Sequence, residues 1–289
     1  MIHNSPPRVA LESTVITHGL AYPANLSTAR DMERNVREGG AEPATIAIIG
    51  GQIKIGLSSA ELEYLATTQG ARKCSVRDIG IVVGLGGDGA TTVAATLFLA
   101  ARAGIDIFAT GGIGGVHRGH PFDVSADLTE LSRTPVTVVC AGAKALLDLP
   151  LTFEHLETLG VPVIGYGTDE IPAFFSRRSG LRADVRADTA EQVARIVRAR
   201  REIGLPGGEL VCVPVPQADE LANDLAEAAI VQAQAEADAQ GIHGAAATPF
   251  MLGRIAALTG GASVRANTAL LANNARMAAQ IARALARLE

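Results

Sequence analysis

A lysine at the end of an apolar run of small residues is the first candidate for chemistry. Lys144 follows the run Pro135–Ala143, whose composition predicts that the side chain is buried. Burial disfavours the ammonium ion, lowers the pKa of the amine and so favours a nucleophile for carbonyl carbons. Two alternatives remain open from the residues alone. The amine could reach the surface along its methylene stem, or it could pair with Asp148 one helical turn later.

A glycine-rich segment precedes this lysine. It has the sequence TGGIGGVHRG over residues 110–119 and follows an apolar strand. Glycines let the backbone approach a ligand and expose its N–H groups, while His117 and Arg118 add positive charge suited to a phosphate. The segment matches neither GxxxxGK[ST] nor GxGxxG, so it predicts no named nucleotide-binding fold. An anion site and a purely structural turn both remain open.

Two aspartates follow the glycine-rich segment. Asp123 and Asp127 are four residues apart, with Ser125 between them. Carboxylate oxygens and water suit hard divalent cations, and one or two carboxylates are enough for magnesium or manganese. Asp127 and Glu130 also fit the start of a helix in a pattern similar to a capping box. On spacing alone we expect Asp127 to cap a helix, whereas the role of Asp123 stays open.

Other polar residues lie next to predicted elements. Glu12 follows the strand Val9–Leu11, where a carboxylate is placed for acid–base chemistry or for bonds to nearby backbone N–H groups. Lys73 precedes a predicted strand and is either a phosphate ligand or a solvated charge. We interpret Asn267 first as a residue at a helix N-terminus. The pair Asn273–Asn274 is expected on a polar helix face.

Alternating apolar runs and helix-period segments predict the elements that position these side chains. Most short runs are apolar throughout, as in strands that are covered on both faces. The predicted strands are Val9–Leu11, Thr45–Ile49, Ile79–Gly84, Ile107–Thr110, Val136–Cys140, Val161–Tyr166 and Leu210–Val213. The predicted helices are Asn25–Glu38, Ser59–Gln69, Thr92–Ala103, Leu151–Leu159, Glu191–Ile203, Asp219–Gln240, Pro249–Leu258 and Asn267–Leu288.

This pattern predicts an α/β fold, a three-layer α/β/α core with a mostly helical C-terminal third. No low-complexity linker or internal repeat divides the chain, so we expect one domain over residues 1–289. If the chain has a domain boundary, the stretch Leu205–Pro216, with its prolines and glycines, is the one candidate for it. The order of the strands in the sheet does not follow from the pattern.

The composition narrows the range of partners. Apolar residues make up 48% and charged residues 19%, which is enough for a sizeable core. A net charge of −5, 3% aromatic residues and the absence of Trp disfavour a nucleic-acid polymer, although a single nucleotide is allowed. The three cysteines show no CxxC spacing and predict neither a zinc site nor a disulfide framework. Without a signal peptide or a membrane-length apolar run, we expect a cytoplasmic protein with no membrane partner.

Longer segments of the chain carry a family resemblance. They include LESTVITHGLAYPAN, PATIAIIGGQIKIGLS, GATTVAAT, FATGGIGGVHRG, DVSADLTELSRTPVTVVCAGAK, TDEIPAFFSRRSG and TPFMLGRIAALTGGASVRAN. In this order and over nearly the whole chain, they resemble the pseudouridine-5′-phosphate glycosidases, a group that includes indigoidine-synthase-A-like proteins. A single piece such as TGGIGG would be a weak signal, but matches of this combined length are highly specific.

The resemblance implies an activity and roles for individual residues. The reaction is the reversible cleavage of pseudouridine 5′-phosphate to uracil and ribose 5-phosphate. Glu12 matches the proton donor, Lys144 the covalent nucleophile that forms an imine with the ring-opened sugar, and Asp123 the metal ligand. The positions that match substrate-binding residues are Lys73, Val93, His117, Ser125, Ala126, Asp127 and Asn267. The resemblance also implies an α/β/α fold, a homotrimer and one Mn²⁺ per subunit, with Mg²⁺ or another divalent ion as the alternative.

The chain departs from the family pattern near the expected substrate edge. Two adjacent basic residues often precede the position of Asp78 in the family, whereas this chain has Val76-Arg77. The segment Gly84–Gly89 is also unusually rich in glycine. We expect these changes to affect contacts to phosphate or base but not the reaction. Two other functions stay open: another lysine-dependent sugar-phosphate lyase or aldolase, and a noncatalytic phosphometabolite-binding protein.

Overall fold

The computed structural model describes residues 6–242, 244 and 247–288. Its strands are β1 Arg8–Leu11, β2 Glu42–Ile49, β3 Gln52–Ile55, β4 Arg72–Cys74, β5 Gly89–Thr91, β6 Ile107–Ala109, β7 Val116–His117, β8 His120–Val124, β9 Thr137–Cys140, β10 Leu147–Asp148, β11 Val163–Tyr166, β12 Val185–Ala187 and β13 Leu210–Cys212. Its helices are α1 Ala24–Glu38, α2 Ser59–Thr67, α3 Val76–Gly84, α4 Val93–Arg102, α5 Ala126–Arg133, α6 Leu149–Thr158, α7 Ala190–Ile203, α8 Asn223–Ala239, α9 Ala247–Leu258 and α10 Ala262–Ala286. A π-helical turn, Val15–Gly19, and a 3₁₀ turn, Gln217–Asp219, complete the regular structure of the described residues.

A ten-stranded, mostly parallel sheet forms the centre of the fold. Its strand order is β12-β11-β13-β9-β6-β1-β2-β5-β4, with β3 paired to β2. β2 runs antiparallel to both β3 and β5, and the other neighbours in this order are parallel. The central strands are buried along most of their length, which explains why they are apolar throughout instead of alternating.

Helices cover both faces of this sheet, as the sequence predicts. The long helix α10 packs on α1 and α7 and on strands β6, β9 and β1. Helices α4 and α5 pack on each other, and α4 also contacts β1, β2, β5 and β6. The C-terminal third consists mainly of α8, α9 and α10, whose alanine content favours helix. In the part of the chain that the structure describes, no helix qualifies as a membrane span.

One predicted strand is wrong. The apolar run Ile79–Gly84 belongs to helix α3, which starts after Ser75. The Asp78 carboxylate accepts a hydrogen bond of 3.0 Å from the Ser75 N–H and so stabilises the first turn. In the helix, Val82 is buried whereas Ile81 is 44% exposed, so one face of the run turns to solvent. The run is therefore half of an amphipathic helix and not a covered strand.

The predicted positions of two residues, Lys73 and Asn267, are also wrong. Lys73 does not precede a strand but lies within β4, and the apolar segment after it is helix α3. Asn267 is not at a helix N-terminus, because α10 begins five residues earlier, after Gly261. Gly261 adopts the left-handed conformation with a φ of 84°, which separates α9 from α10. The other six predicted strands and the eight predicted helices are confirmed, with ends that differ by a few residues.

Candidate active site

The acid and the amine lie at the carboxyl ends of strands of the parallel sheet. Glu12 follows β1, Thr110 follows β6, and Lys144 lies four residues beyond the end of β9. β6 pairs in parallel with both β1 and β9, so these three chain segments leave the sheet at the same edge. Sites of open α/β sheets lie at this edge.

Two adjoining cavities open at this edge. The outer groove has a volume of about 600 Å³ and is lined mainly by polar and charged residues between the first turns of α3, α4 and α5. The inner cavity is smaller, and its apolar walls are Val15, Phe174, Pro249, Leu252 and Leu271. Both cavities are lined by Glu12, Thr14, Lys73, Lys144 and Thr248. The acid and the amine therefore lie where the two cavities meet.

All ten residues that the resemblance singles out line these cavities. Glu12, Lys73 and Lys144 line both cavities, and each of the other seven residues lines one of them. The outer groove contains Val93, His117, Asp123, Ser125, Ala126 and Asp127. Asn267 lines the inner cavity. Arg118, in contrast, lines neither cavity, because its guanidinium is paired with Glu227 at 2.5 Å and does not supply charge for a phosphate.

The carboxylate of Glu12 is buried and held by two hydroxyl groups. The hydroxyls of Thr14 and Thr110 donate hydrogen bonds to its two oxygens. Only 7% of Glu12 is exposed, so bulk water has little access to this carboxylate. The two threonines fix the carboxylate at the junction of the cavities, where it can exchange a proton with a bound ligand.

Lys144 is held through its backbone, and its amine is left for a ligand. Its N–H donates to the carbonyl of Ile113 at 3.0 Å. The pairing with Asp148 left open by the sequence is not formed, because that carboxylate accepts from the Leu151 N–H at the start of α6. Within the described residues, no carboxylate forms an ion pair with Lys144. A half-buried amine of this kind is suited to attack on a carbonyl carbon.

Lys73 brings a second amine to the junction. Burial and the positive charge of Lys144 lower the pKa of Lys73, while the carboxylates of Asp127 and Glu12 act in the opposite direction. Two amines that share one space repel each other as cations. An anionic ligand at this place would relieve that repulsion.

The spacing predicted that Asp127 caps its own helix, and this prediction is wrong. Ser125 is the N-cap of α5, and its hydroxyl accepts from the Asp127 N–H at 3.2 Å. The Asp127 carboxylate instead accepts from the Ala94 N–H at 2.9 Å and from the Gly114 N–H at 2.8 Å. It thus joins the first turn of α4 to the glycine-rich segment.

The glycines of this segment are required by close packing. None of Gly111, Gly112, Gly114 and Gly115 has a positive φ. A Cβ at Gly114 would lie 2.3 Å from the Ser125 hydroxyl and 2.8 Å from an Asp127 carboxylate oxygen, and a Cβ at Gly112 would lie 2.7 Å from the Phe174 ring. The Gly114 N–H is already bonded to Asp127, so the segment shapes the site more than it binds an anion.

Three helix N-termini line the outer groove. Ser75–Arg77 at the start of α3, Thr92–Val93 at the start of α4 and Ser125–Ala126 at the start of α5 all line it. The N-terminus of a helix carries a partial positive charge and favours anions. Together with Lys73, this arrangement can hold a phosphate.

Asp123 and His117 lie on the β-hairpin formed by β7 and β8. Burial lowers the pKa of His117, although the negative charge of Asp123 acts in the opposite direction. Within the described residues there is no cluster of three or more His, Cys, Asp or Glu side chains that could hold a metal. A single exposed carboxylate fits a hydrated magnesium or manganese ion and does not fit a tetrahedral zinc site.

The sequence did not indicate that His18 and Asn274 lie in this region. His18 lies on the π-helical turn after Glu12 and lines the inner cavity; its only signal was its place in the segment that contains Glu12. Asn274 was expected on a polar helix face but is fully buried. Its amide donates to the carbonyl of Thr110 at 2.9 Å, because α10 packs over the end of β6. Asn273 is partly buried as well, with a contact of 3.4 Å to the carbonyl of Pro214.

Comparison with known proteins places this architecture in a family. The family model for indigoidine synthase A like protein matches residues 1–284. The chain belongs to this family. It is 57% identical over 281 residues to the pseudouridine-5′-phosphate glycosidase of Jannaschia sp. (strain CCS1), covering 96% of this chain and 93% of the relative. With the enzyme of the same name from Escherichia coli (strain K12) it shares 52% identity over 290 residues, covering 99% of this chain and 93% of the relative.

Two solved structures have a similar fold. The indigoidine synthase A-like protein of Thermotoga maritima superposes with a TM-score of 0.92 at 40% identity, covering 98% of this chain and 94% of that structure. A prealnumycin C-glycosynthase in complex with ribulose 5-phosphate superposes with a TM-score of 0.89 at 42% identity, covering 98% and 92%. The second structure holds a five-carbon sugar phosphate on this fold.

Proposed function

We propose that this protein is a pseudouridine-5′-phosphate glycosidase, which cleaves its substrate reversibly into uracil and ribose 5-phosphate. The observation that carries the proposal is the position of Glu12 and Lys144 where an apolar cavity meets a groove lined by helix N-termini. Such a junction suits a substrate with a planar base at one end, a phosphate at the other and the reacting sugar carbon between them. The names of the relatives support the same activity.

The chemistry explains why the site needs an amine. Pseudouridine joins uracil C5 to the sugar by a C–C bond, so no glycosidic nitrogen or oxygen is available for protonation. The two-carboxylate mechanism of ordinary glycosidases therefore does not apply. Glu12 protonates the ring oxygen while Lys144 adds to the anomeric carbon, and the sugar ring opens.

Bond cleavage follows from the covalent amine. A nearby acid donates a proton to uracil C5, the electron pair of the C–C bond goes to the base, and the nitrogen lone pair of Lys144 forms the C=N bond of an imine. Uracil leaves, and water hydrolyses the imine to release the aldehyde of ribose 5-phosphate and the free amine. The synthetic direction reverses these steps.

The phosphate belongs in the outer groove. Lys73 and the N-termini of α4 and α5, at Val93, Ser125 and Ala126, supply its contacts. The Asp127 carboxylate, in the first turn of α5, joins this helix to α4 through the Ala94 N–H and to the glycine-rich segment through the Gly114 N–H. Asp123, beside His117, would hold a hydrated Mn²⁺ or Mg²⁺ ion, which when bound supplies positive charge near the phosphate.

Uracil release tests the proposed activity. The purified protein is incubated with Mn²⁺ and pseudouridine 5′-phosphate, and uracil is followed by chromatography. Uridine 5′-phosphate, which has an N-glycosidic bond, serves as the control. We expect uracil from pseudouridine 5′-phosphate alone. If the folded protein releases uracil from neither nucleotide, the proposal is wrong, and a lyase or aldolase with another substrate, or a binding protein, takes its place.

The family relationship also supports an assembly and a location. We propose a homotrimer that works in the cytoplasm with one metal ion per subunit. Light scattering of the purified protein measures the number of subunits, and metal analysis of the same sample measures the ions per chain. A monomer would contradict the homotrimer, and a metal content far from one ion per chain would contradict the metal stoichiometry. Neither result would affect the role assigned to Lys144.

A further inference from the structure

A histidine close to Glu12 in sequence is not used by the mechanism above. His18 lies on the π-helical turn Val15–Gly19 and lines the inner cavity but not the outer groove. Its Nε2 atom is buried and has no hydrogen-bond partner among the described residues. A buried polar atom without a partner is unfavourable unless a ligand or water completes its bonding. The cavity that His18 lines provides the space for such a ligand.

The turn that carries His18 is held firmly. The buried amide of Asn25 donates to the carbonyls of Ile16 at 2.7 Å and Ala66 at 2.9 Å. The Ile16 N–H donates to the carbonyl of Ser13 at 3.0 Å, and the Ser13 hydroxyl accepts from the Thr91 N–H at 2.8 Å. π-Helical turns are rare and are frequent at functional sites. The turn is thus tied to both α2 and the sheet, which fixes the position of the imidazole.

The surroundings of His18 favour the neutral ring. Burial and the positive charge of Lys73 lower the pKa of His18, while the backbone carbonyl of Ala71 acts in the opposite direction. A neutral imidazole has one nitrogen that donates and one that accepts. It can therefore bond to an N–H group of an uncharged ligand without introducing a charge into the apolar cavity.

The lining of the inner cavity suits the chemistry of a pyrimidine, and its volume of about 70 Å³, less than that of a whole ring, means that a base would enter it by one edge. Its walls are mainly apolar, and few polar side chains are left to recognise the ring edge. The Thr110 hydroxyl is bonded to Glu12, whereas the amide of Asn267 and the imidazole of His18 have no side-chain partner among the described residues. With uracil C5 directed at Lys144, the far edge of the ring presents N1–H, C2=O and N3–H.

We infer that His18 is a specificity-determining residue that accepts a hydrogen bond from an N–H group on this far edge of uracil. The inference rests on the proposed function, because it assumes that the far edge of the base enters the inner cavity. His18 has no part in forming the imine at Lys144. It therefore governs how uracil binds and not how ribose 5-phosphate reacts.

The synthetic direction separates these two events. Uracil and ribose 5-phosphate are varied independently, and the KM of each is measured for the wild-type protein, His18→Leu and His18→Gln. His155→Ala is the control, because His155 lies on α6 and lines neither cavity. The second readout is the amount of ribose 5-phosphate trapped on the protein by borohydride in the absence of uracil.

We expect His18→Leu to raise the KM for uracil by about tenfold or more, which corresponds to about 1.4 kcal/mol. The KM for ribose 5-phosphate and the trapped fraction should stay within about twofold of the wild-type values, which also shows that the variant is folded. His18→Gln, whose amide can bond at the position of Nε2, should recover most of the affinity for uracil. His155→Ala should match the wild type in every readout.

Two results overturn the inference. One is an unchanged KM for uracil in His18→Leu, and the other is an equal rise in the KM values of both substrates, which marks a structural role. In both cases, wild-type trapping of ribose 5-phosphate leaves the proposed function intact. If the wild-type protein forms neither product nor trapped adduct, the proposed function itself has failed.

Discussion

At the scale of single residues, the site depends on side chains that the backbone holds ready for a ligand. Glu12 and Lys144 follow strands β1 and β9, and Thr110, from the strand between them, donates to the Glu12 carboxylate. The carboxylate is therefore oriented before a substrate arrives, and little reorganisation is needed during proton transfer.

Glu12→Gln should separate catalysis from binding. The amide keeps the size of the side chain and can still bond to the two threonines, but it cannot protonate the sugar ring oxygen. We expect kcat for cleavage of pseudouridine 5′-phosphate to fall by about 10²–10⁴-fold with a KM within a few-fold of the wild type. Steady-state kinetics measures both values. A loss of affinity with unchanged kcat would make Glu12 a binding residue.

Lys73→Met should stabilise the protein and weaken substrate binding. The pKa of Lys73 is lower in the folded chain than in the unfolded chain, chiefly through burial, so its ammonium form opposes folding below the folded-state pKa. Removing the amine should raise the free energy of unfolding at pH 7, and this gain should shrink as the pH rises towards the unfolded pKa near 10.4. Denaturant unfolding at pH 7 and pH 10 measures the effect.

The same variant tests the phosphate contact. We expect its KM for pseudouridine 5′-phosphate to rise by about tenfold or more, because one charge-assisted bond to phosphate is lost. Lys54→Met is the control, since Lys54 forms a partly exposed ion pair with Glu61 at 3.3 Å and lines neither cavity. A less stable Lys73→Met protein at pH 7, or one with unchanged KM, contradicts this account of Lys73.

Asp123→Ala tests the metal assignment. We expect weak activity that no longer responds to added Mn²⁺, together with loss of Mn²⁺ binding measured on the protein by electron paramagnetic resonance. Asp238→Ala, which removes a carboxylate from helix α8 outside both cavities, should keep both properties. Full Mn²⁺ binding by Asp123→Ala would place the metal elsewhere.

At the scale of elements, the loop between β6 and β7 decides the shape of the site. Gly114→Ala should reduce stability by about 1–3 kcal/mol, because its Cβ would overlap the Ser125 hydroxyl and the Asp127 carboxylate. It should also displace the N-termini of α4 and α5 and lower kcat/KM. Denaturant unfolding and steady-state kinetics measure the two effects.

Helix α3 offers the matched control for this glycine. Gly80→Ala adds the same methyl group at an exposed position where nothing lies within 4 Å. It should raise the stability by about 0.5–1 kcal/mol, since alanine is the better helix former. A Gly114→Ala protein as stable and active as the wild type would contradict the packing argument.

The elements differ in how far the sequence predicts them. Long amphipathic or alanine-rich helices, such as α1 and α10, carry a strong periodic signal over many residues. Short strands of two to five residues, such as β7 and β8, carry almost no periodic signal. The apolar run Ile79–Gly84 alone fits either a strand or a helix. The hydrogen bond from the Ser75 N–H to the Asp78 carboxylate stabilises the helix.

At the scale of the whole molecule, the candidate site depends on contacts that no local pattern contains. The strand order places β6 between β1 and β9 and so brings Glu12 and Lys144 together. The sequence predicted the α/β/α layers and, through family resemblance, the ten residues around the two cavities. It did not predict that Asp127 holds a neighbouring helix or that Asn274 is buried under the site, because both follow from packing between distant segments.

Other statements at this scale stay predictions. They are the single domain over residues 1–289, the homotrimer and the Mn²⁺ ion. None of them affects the covalent bond proposed at Lys144.

Borohydride trapping of that bond is the most direct measurement. The protein is incubated with ribose 5-phosphate, reduced with borohydride, digested and analysed by mass spectrometry, with Lys144→Ala treated in parallel. The proposed mechanism predicts a reduced sugar-phosphate adduct on Lys144, no such adduct in a folded Lys144→Ala protein, and no turnover by that variant. Wild-type turnover by Lys144→Ala, or an adduct confined to Lys73, would contradict it.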